Sequence, residues 1–250
     1  MKVIVNADDL GFSGEVNDAI FGFMALGRVT SATIIANGEG VEDAARRARE
    51  LPGCSFGVHL NATGLKPLTR SPGLSPILDE AGNFAGDAIR RTGITATLRK
   101  AIFTEWCAQV EKVQSLGVRV SHFDSHHHTH TIPGLFPVLK RVQHRFGIRK
   151  VRISMNIYSQ TTPARNRLLP AGKAIWNFAL RHYQATATTE GFSSLGVFCE
   201  AMRESPRGFS SVELMVHPGG AGYEAETRLL DSAWWEELSL KPQFINYHDL

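Results

Sequence analysis

Five of the chain's 10 histidines fall within nine positions, in the run His122-Phe123-Asp124-Ser125-His126-His127-His128-Thr129-His130. A neutral imidazole is a metal ligand and its proton titrates near neutral pH, so this density points to a metal or acid–base centre. If the chain stays extended, His122, Asp124 and His126 share one side with His128 and His130, while Phe123 and Ser125 take the other. His-x-Asp-x-His then supplies a nitrogen ligand with a carboxylate beside it to fix its tautomer. For His127, His128 and His130 a plain hydrogen-bonding loop role is an equal alternative, because one metal needs only about three protein ligands.

Asp8 and Asp9 follow the apolar run Val3-Ile4-Val5. Neighbouring side chains on a strand point to opposite sides, so one carboxylate is expected to ligate while the other stays free as a base. A plainer role, with Asp9 opening a turn and Ser13 capping the next helix, accounts for one acid but not for two. His59, between Gly57 and Asn61, and His217, before Pro218-Gly219-Gly220, each close an apolar run. Either suits a core histidine, and His217 equally suits a catalytic acid.

Short β-type runs must carry these groups. Period-two and apolar segments predict strands near residues 3–6, 30–36, 56–60, 118–123, 151–154, 213–216 and 244–247. Helical spacing covers 14–26, 41–51, 94–116 and 133–146. Between them lies a long connection, 61–86, of the kind that forms lids or contacts substrate. Strand–helix alternation without a break in composition implies one α/β domain over residues 1–250. About seven such units favour a (β/α) barrel of TIM type over a doubly wound sheet. Catalytic groups in such barrels sit at the C-terminal ends of different strands, where all four polar constellations fall.

Composition narrows the partners. Hydrophobic residues make up 43% and charged residues 20%, with a net charge of +3, which suits a soluble globular chain without the basic stripe of a nucleic-acid binder. The longest apolar run, near residues 19–26, is too short for a membrane span. Met1-Lys2-Val3-Ile4-Val5 leads straight into a strand pattern and not into a signal peptide. Cys54, Cys107 and Cys199 fit neither a disulfide framework nor a metal knuckle, so reduced thiols and a cytoplasmic location are expected.

Taken in order, Val5-Asn6-Ala7-Asp8-Asp9-Leu10-Gly11, Gly57-Val58-His59-Leu60-Asn61, Lys66-Pro67-Leu68, His122 to His128 and Val216-His217-Pro218 resemble the motifs of the YdjC-like carbohydrate deacetylases, which include the chitooligosaccharide deacetylases. The resemblance implies a (β/α) barrel that removes acetyl groups from N-acetylated sugars with one divalent metal ion, magnesium or zinc. By that resemblance Asp9, His59 and His126 match the metal-binding positions, and Asp8 matches the base.

The resulting expectation is metal-assisted amide hydrolysis of a small N-acetylated sugar, with Asp8 as base and His217 as the acid that protonates the leaving amine. Arg152, at another strand end, either orients Asp8 and keeps it ionised or makes a surface salt bridge. Asn61, Asp124 and His128 are assigned to substrate binding or to support of the ligands. The chain is expected to act as a monomer or a homodimer. A polynuclear phosphoesterase and a non-catalytic sugar-binding barrel with a structural metal are the alternatives.

Overall fold

The structure is a computed structural model that describes residues 1–163 and 169–250. Its strands are β1 (Lys2–Leu10), β2 (Ser31–Ile34), β3 (Ser55–Leu60), β4 (Val120–Ser125), β5 (Gly191–Ser194), β6 (Ser211–Val216) and β7 (Gln243–Phe244). All pair in parallel in the order β4-β3-β2-β1-β6-β5, with the two-residue β7 added at the start of β1. Buried on both faces, β2 and β3 are apolar or small throughout apart from His59 and three hydroxyl-bearing positions, Ser31, Thr33 and Ser55, as parallel sheets require.

The ladder is open between β4 and β5, which departs from the closed TIM barrel expected. Single bridges from Phe123 to Val151 and from Lys150 to Ala187 span the opening. The predicted strand at 151–154 is reduced to those bridges, and at its end Asn177, on a helix at Leu169–His182, takes the place of a strand partner for Ser154. Asn177 accepts from Ser154 N at 2.8 Å and donates to Ser154 O at 3.1 Å. The sheet nevertheless curls. Laid flat at about 4.8 Å per strand, it would hold residue 152 roughly 14 Å or more from β1. Arg152 instead donates directly to Asp8 at 2.6 and 2.7 Å, so the strands form an incomplete barrel around it.

Helix α1 (Gly14–Ala25) starts where Ser13 Oγ accepts from Val16 N, as the plainer reading of that segment predicted. Buried Asn17 on α1 accepts from Gly11 N at 2.8 Å and donates to Gly40 O at 2.9 Å, stapling the turns after β1 and β2 together. Helix α2 spans Val41–Ala48 and helix α3 spans Ala96–Ser115. From α3, Gln109 holds both backbone groups of Asn61, and Glu105 accepts from Leu68 N and Thr69 N. These two buried side chains dock the long connection after β3, which therefore forms a fixed wall rather than a free flap.

Candidate active site

Every catalytic candidate stands at the C-terminal end of a parallel strand. Asp8 and Asp9 come from β1, His59 from β3 and Asp124 from β4, with His126 just after β4 and His217 just after β6. Asp9, however, departs from the alternation expected of a strand. Its φ is 65°, in the left-handed region, and the register of β1 against β2 slips between Ala7 and Leu10. That twist brings both carboxylates to one cleft instead of opposite faces. They share it with His126, His127, His217 and Tyr223 in a volume of about 540 Å³.

The two carboxylates have separate surroundings. Asp9 Oδ1 lies 2.9 Å from His126 Nδ1 and 3.3 Å from His59 Nε2. Burial disfavours its charge, but hydrogen bonds with His126 and His59 outweigh this and hold the carboxyl well below the usual carboxylate range. Asp8 is almost fully buried and meets the two terminal nitrogens of the Arg152 guanidinium end-on, with Asn6 Nδ2 donating to Oδ1 at 3.0 Å. Burial again opposes its ionisation, but Arg152 outweighs it and holds the carboxyl well below the usual carboxylate range. Arg152 is wholly buried, which rules out a surface salt bridge.

His59 is gripped from behind: Asp124 Oδ1 sits 2.7 Å from Nδ1, and Thr33 Oγ1 donates to the other Asp124 oxygen at 3.0 Å. A carboxylate on one ring nitrogen fixes the tautomer and leaves Nε2 facing Asp9. The imidazole is pushed well above its ordinary pKa despite burial, chiefly by the charges of Asp124 and Asp8. An imidazole protonated in this way competes with a cation for the same lone pair.

Two donor sets have spacings that fit an ion: Asp9, His59 and His126, and the fully buried Asp8, His59 and Asp124. The first fits. Its donors converge from three chain segments, Asp9 Oδ1 sits between the two imidazole nitrogens, and the cleft lies open beside it. In the second, Arg152 already contacts both carboxylates, with its NH1 2.8 Å from Asp124 Oδ2. A guanidinium there supplies the positive charge that a second ion would bring. Replacing His59 or His126 by alanine is accordingly expected to reduce bound divalent metal to near zero, with far-UV circular dichroism unchanged for the His126 position at the cleft edge. Normal metal content by elemental analysis in both variants would refute this ligand set.

Beyond Ser125 the histidine run leaves the extended conformation. His127 and His128 have φ of 51° and 56°, so the shared facing expected of His126, His128 and His130 is lost. Two consecutive left-handed residues without glycine are unfavourable. Thr131 Oγ1 and Arg90 pin the turn by donating to the carbonyls of His128 and His127. His130 is buried in structure-keeping bonds with Ser125 Oγ and Arg152 O. His128 has its ring edge on Phe192, and burial pushes it down to about 3, so it is a neutral group with a free Nδ1. His122 lies below the site, and its ring occupies the space that a side chain at Gly57 would need. Asn61 turns its side chain on its own loop, accepting from Thr63 N and Gly64 N.

His217 borders the cleft, 13% exposed, stacked on Tyr223 at 4.2 Å and facing Glu226 Oε1 at 3.3 Å. Burial lowers its pKa, but Glu226 and the charge of Asp8 more than compensate, and the net shift is upward. Sequence reasoning missed Glu226 and Tyr223, which lie on the loop and helix after β6 without a motif. It also missed Glu213, whose lone charge inside Val212-Glu213-Leu214-Met215-Val216 was a usable signal.

Fold and donor set together define an α/β protein with a candidate single-metal site at the mouth of an incomplete parallel barrel. The chain matches the YdjC-like protein family over residues 2–244 and belongs to that family. It is 31% identical over 247 residues to a carbohydrate deacetylase of Vibrio cholerae, covering 93% of this chain and 89% of that one. A chitooligosaccharide deacetylase of Salmonella paratyphi B is 31% identical over 218 residues, 86% of this chain and 81% of the relative. Identity reaches 40% with a carbohydrate deacetylase of Geobacillus stearothermophilus, over 60% of this chain and 59% of that relative's length. A solved structure from Enterococcus faecalis V583, named for cellobiose-phosphate cleavage, superposes with a TM-score of 0.75 at 23% identity, covering 99% and 98% of the two chains, a likeness of fold.

Proposed function

We propose that this protein is a metal-dependent hydrolase that removes the acetyl group from an N-acetylated sugar, of chitooligosaccharide or related N-acetylglucosamine type. The observation that carries the reading is the side-by-side placement of a three-donor metal set and a separately held, ionised Asp8. A divalent ion held by Asp9, His59 and His126, magnesium or zinc, would supply a Lewis acid that polarises the acyl oxygen and acidifies water. Asp8, kept anionic by Arg152, accepts the proton of the attacking water. It is a weak base and serves only a proton that is already acidic. His217 donates to the departing nitrogen, and Glu226 and Tyr223 keep its ring in place. The names of the Vibrio, Salmonella and Geobacillus relatives support the acetyl-sugar assignment.

Arg152 within the second donor set disfavours the polynuclear phosphoesterase. A purely structural metal would have no use for the tethered His217. We read residues 1–250 as one catalytic domain, and three unpaired thiols suit a reducing compartment such as the cytoplasm. Among the described residues no helix is long and apolar enough to cross a membrane. The deciding experiment is acetate release from N-acetylglucosamine and its oligomers, with and without chelator. Turnover abolished by chelator and restored by a divalent salt is expected, and no release from any of these sugars would sink the reading.

His217 gives a sharper test. An amine leaves a tetrahedral intermediate poorly unless protonated, whereas an activated ester needs no proton on its leaving group. His217→Ala should therefore lose roughly two to four orders of magnitude on the amide and far less on an activated ester. Because the protonated imidazole is the active form, parent amide turnover should decline as pH rises through the upward-shifted pKa. Equal losses on both substrates would refute the general-acid role of His217.

A further inference from the structure

We infer that Tyr247, with Glu213, is a positioning residue for the base Asp8, setting the plane of the Arg152 guanidinium from beneath the site. This rests on the base assignment proposed above. Arg152 uses its whole fork on carboxylates. Its two terminal nitrogens face Asp8, and NH1 also lies 2.8 Å from Asp124, while Nε donates to Glu213 Oε1 at 2.8 Å. All five N–H bonds of a guanidinium lie in one plane, so a contact at Nε fixes the roll of the terminal pair. Without it, only the terminal nitrogens on Asp8 and Asp124 and the face of Phe192 hold the group, and the paired contact with Asp8 loses part of its alignment.

Glu213 is itself held from below. Tyr247 Oη donates to Glu213 Oε2 at 2.5 Å. The tyrosine is fully buried and clamped: its backbone N–H donates to Ser55 Oγ at 3.0 Å, and its ring stacks on His122 at 3.5 Å with 10° between the planes. It sits in a short 3-10 turn, Tyr247–Asp249, which Asn246 and Asp249 close as a capping box. The C-terminal segment thus reaches through the barrel floor to a polar chain running Tyr247, Glu213, Arg152, Asp8. The chain also accounts for a glutamate in the middle of β6, where apolar packing alone would put a residue like its neighbours Val212 and Leu214. Tyr247 bonds to none of the three metal donors.

Tyr247→Phe keeps the stacked ring and removes only the hydroxyl. The expected result is a fall in kcat of roughly ten-fold, the weight of one hydrogen bond to a charged group, with KM and metal content unchanged. Glu213→Gln should lower kcat similarly, and the double variant should lose little more than either alone, because both changes break one chain. A readout independent of turnover is the Arg152 Nε–H resonance, which should be slow to exchange in the parent and faster in Tyr247→Phe. Unchanged kcat together with unchanged Nε–H exchange in a well-folded Tyr247→Phe would overturn the inference, as would additive losses in the double variant. Absence of acetate release from the parent would count against the proposed function alone, leaving the Nε–H comparison to decide this one.

Discussion

Asp8→Asn is expected to keep its metal and its fold yet lose roughly two to four orders of magnitude in kcat, the usual weight of a general base. Asparagine has the shape of aspartate but cannot accept a proton at neutral pH. The ion should be retained, since the donors Asp9, His59 and His126 are untouched. Some stability will be lost, because the new amide turns a donor toward one of the two Arg152 nitrogens now 2.6 and 2.7 Å from the carboxylate. Rates must therefore be expressed per folded, metal-loaded molecule. Stoichiometric metal with collapsed turnover is the expected pair of results. Loss of metal would instead make Asp8 a ligand, through the second donor set with His59 and Asp124.

Arg152→Met should be the most destabilising single change in the site. Methionine fills much of the arginine's volume, so the effect is chiefly one of charge. Asp8, Asp124 and Glu213 all contact this one cation, and their side chains are at most 3% exposed. Removing one partner from a buried ionic cluster costs about 3–5 kcal/mol. For a chain of this size that corresponds to a fall in Tm of roughly 6–20 °C.

The loss should also depend on pH. In the parent, Asp8 titrates well below its ordinary value, so its contribution is complete at neutral pH and fades only as pH falls through that low folded pKa. In the variant, burial acts on Asp8 without a cation and raises its folded pKa. Glu213, already pushed up to about 7 by burial against the pull of Arg152, rises further. Groups raised in this way stabilise below their unfolded pKa and lose that contribution as pH increases. The gap in Tm between parent and variant should thus be widest at mildly alkaline pH and narrow toward pH 5. A gap that is constant over that range would mean that packing, not charge, dominates at this position.

How the sequence related to the structure differed from one residue to the next. Local pattern was enough for the parallel α/β class, the placement of Asp8, His59, Asp124 and His217 at strand ends, and the Ser13 cap, because each depends on periodicity or on contacts a few residues away. Motif resemblance singled out Asp9, His59 and His126, and the structure brings their donor atoms within reach of one another. The facing of Asp9 was not legible, since alternation assumes a regular strand and the left-handed twist at Asp9 breaks it. Nor was the turn that separates His126 from His128 and His130, because two non-glycine residues with positive φ are tolerated only where tertiary contacts pin them.

Arg152 remained ambiguous in one dimension for a similar reason: a guanidinium is a surface ion pair or a buried clamp depending on what the sheet curls around it. Closure was likewise beyond reach of the pattern at 151–154, where a helix side chain, Asn177, takes the place of a strand partner for Ser154. Glu105, Glu213, Glu226 and Tyr247 lie 96 to 239 residues from the Asp8-Asp9 pair and carry no spacing signal toward it. Residue type and short-range order were therefore written in the chain itself. Which charges meet, which way a carboxylate turns and what holds the base in place were decided only when the curled sheet brought distant segments to one point.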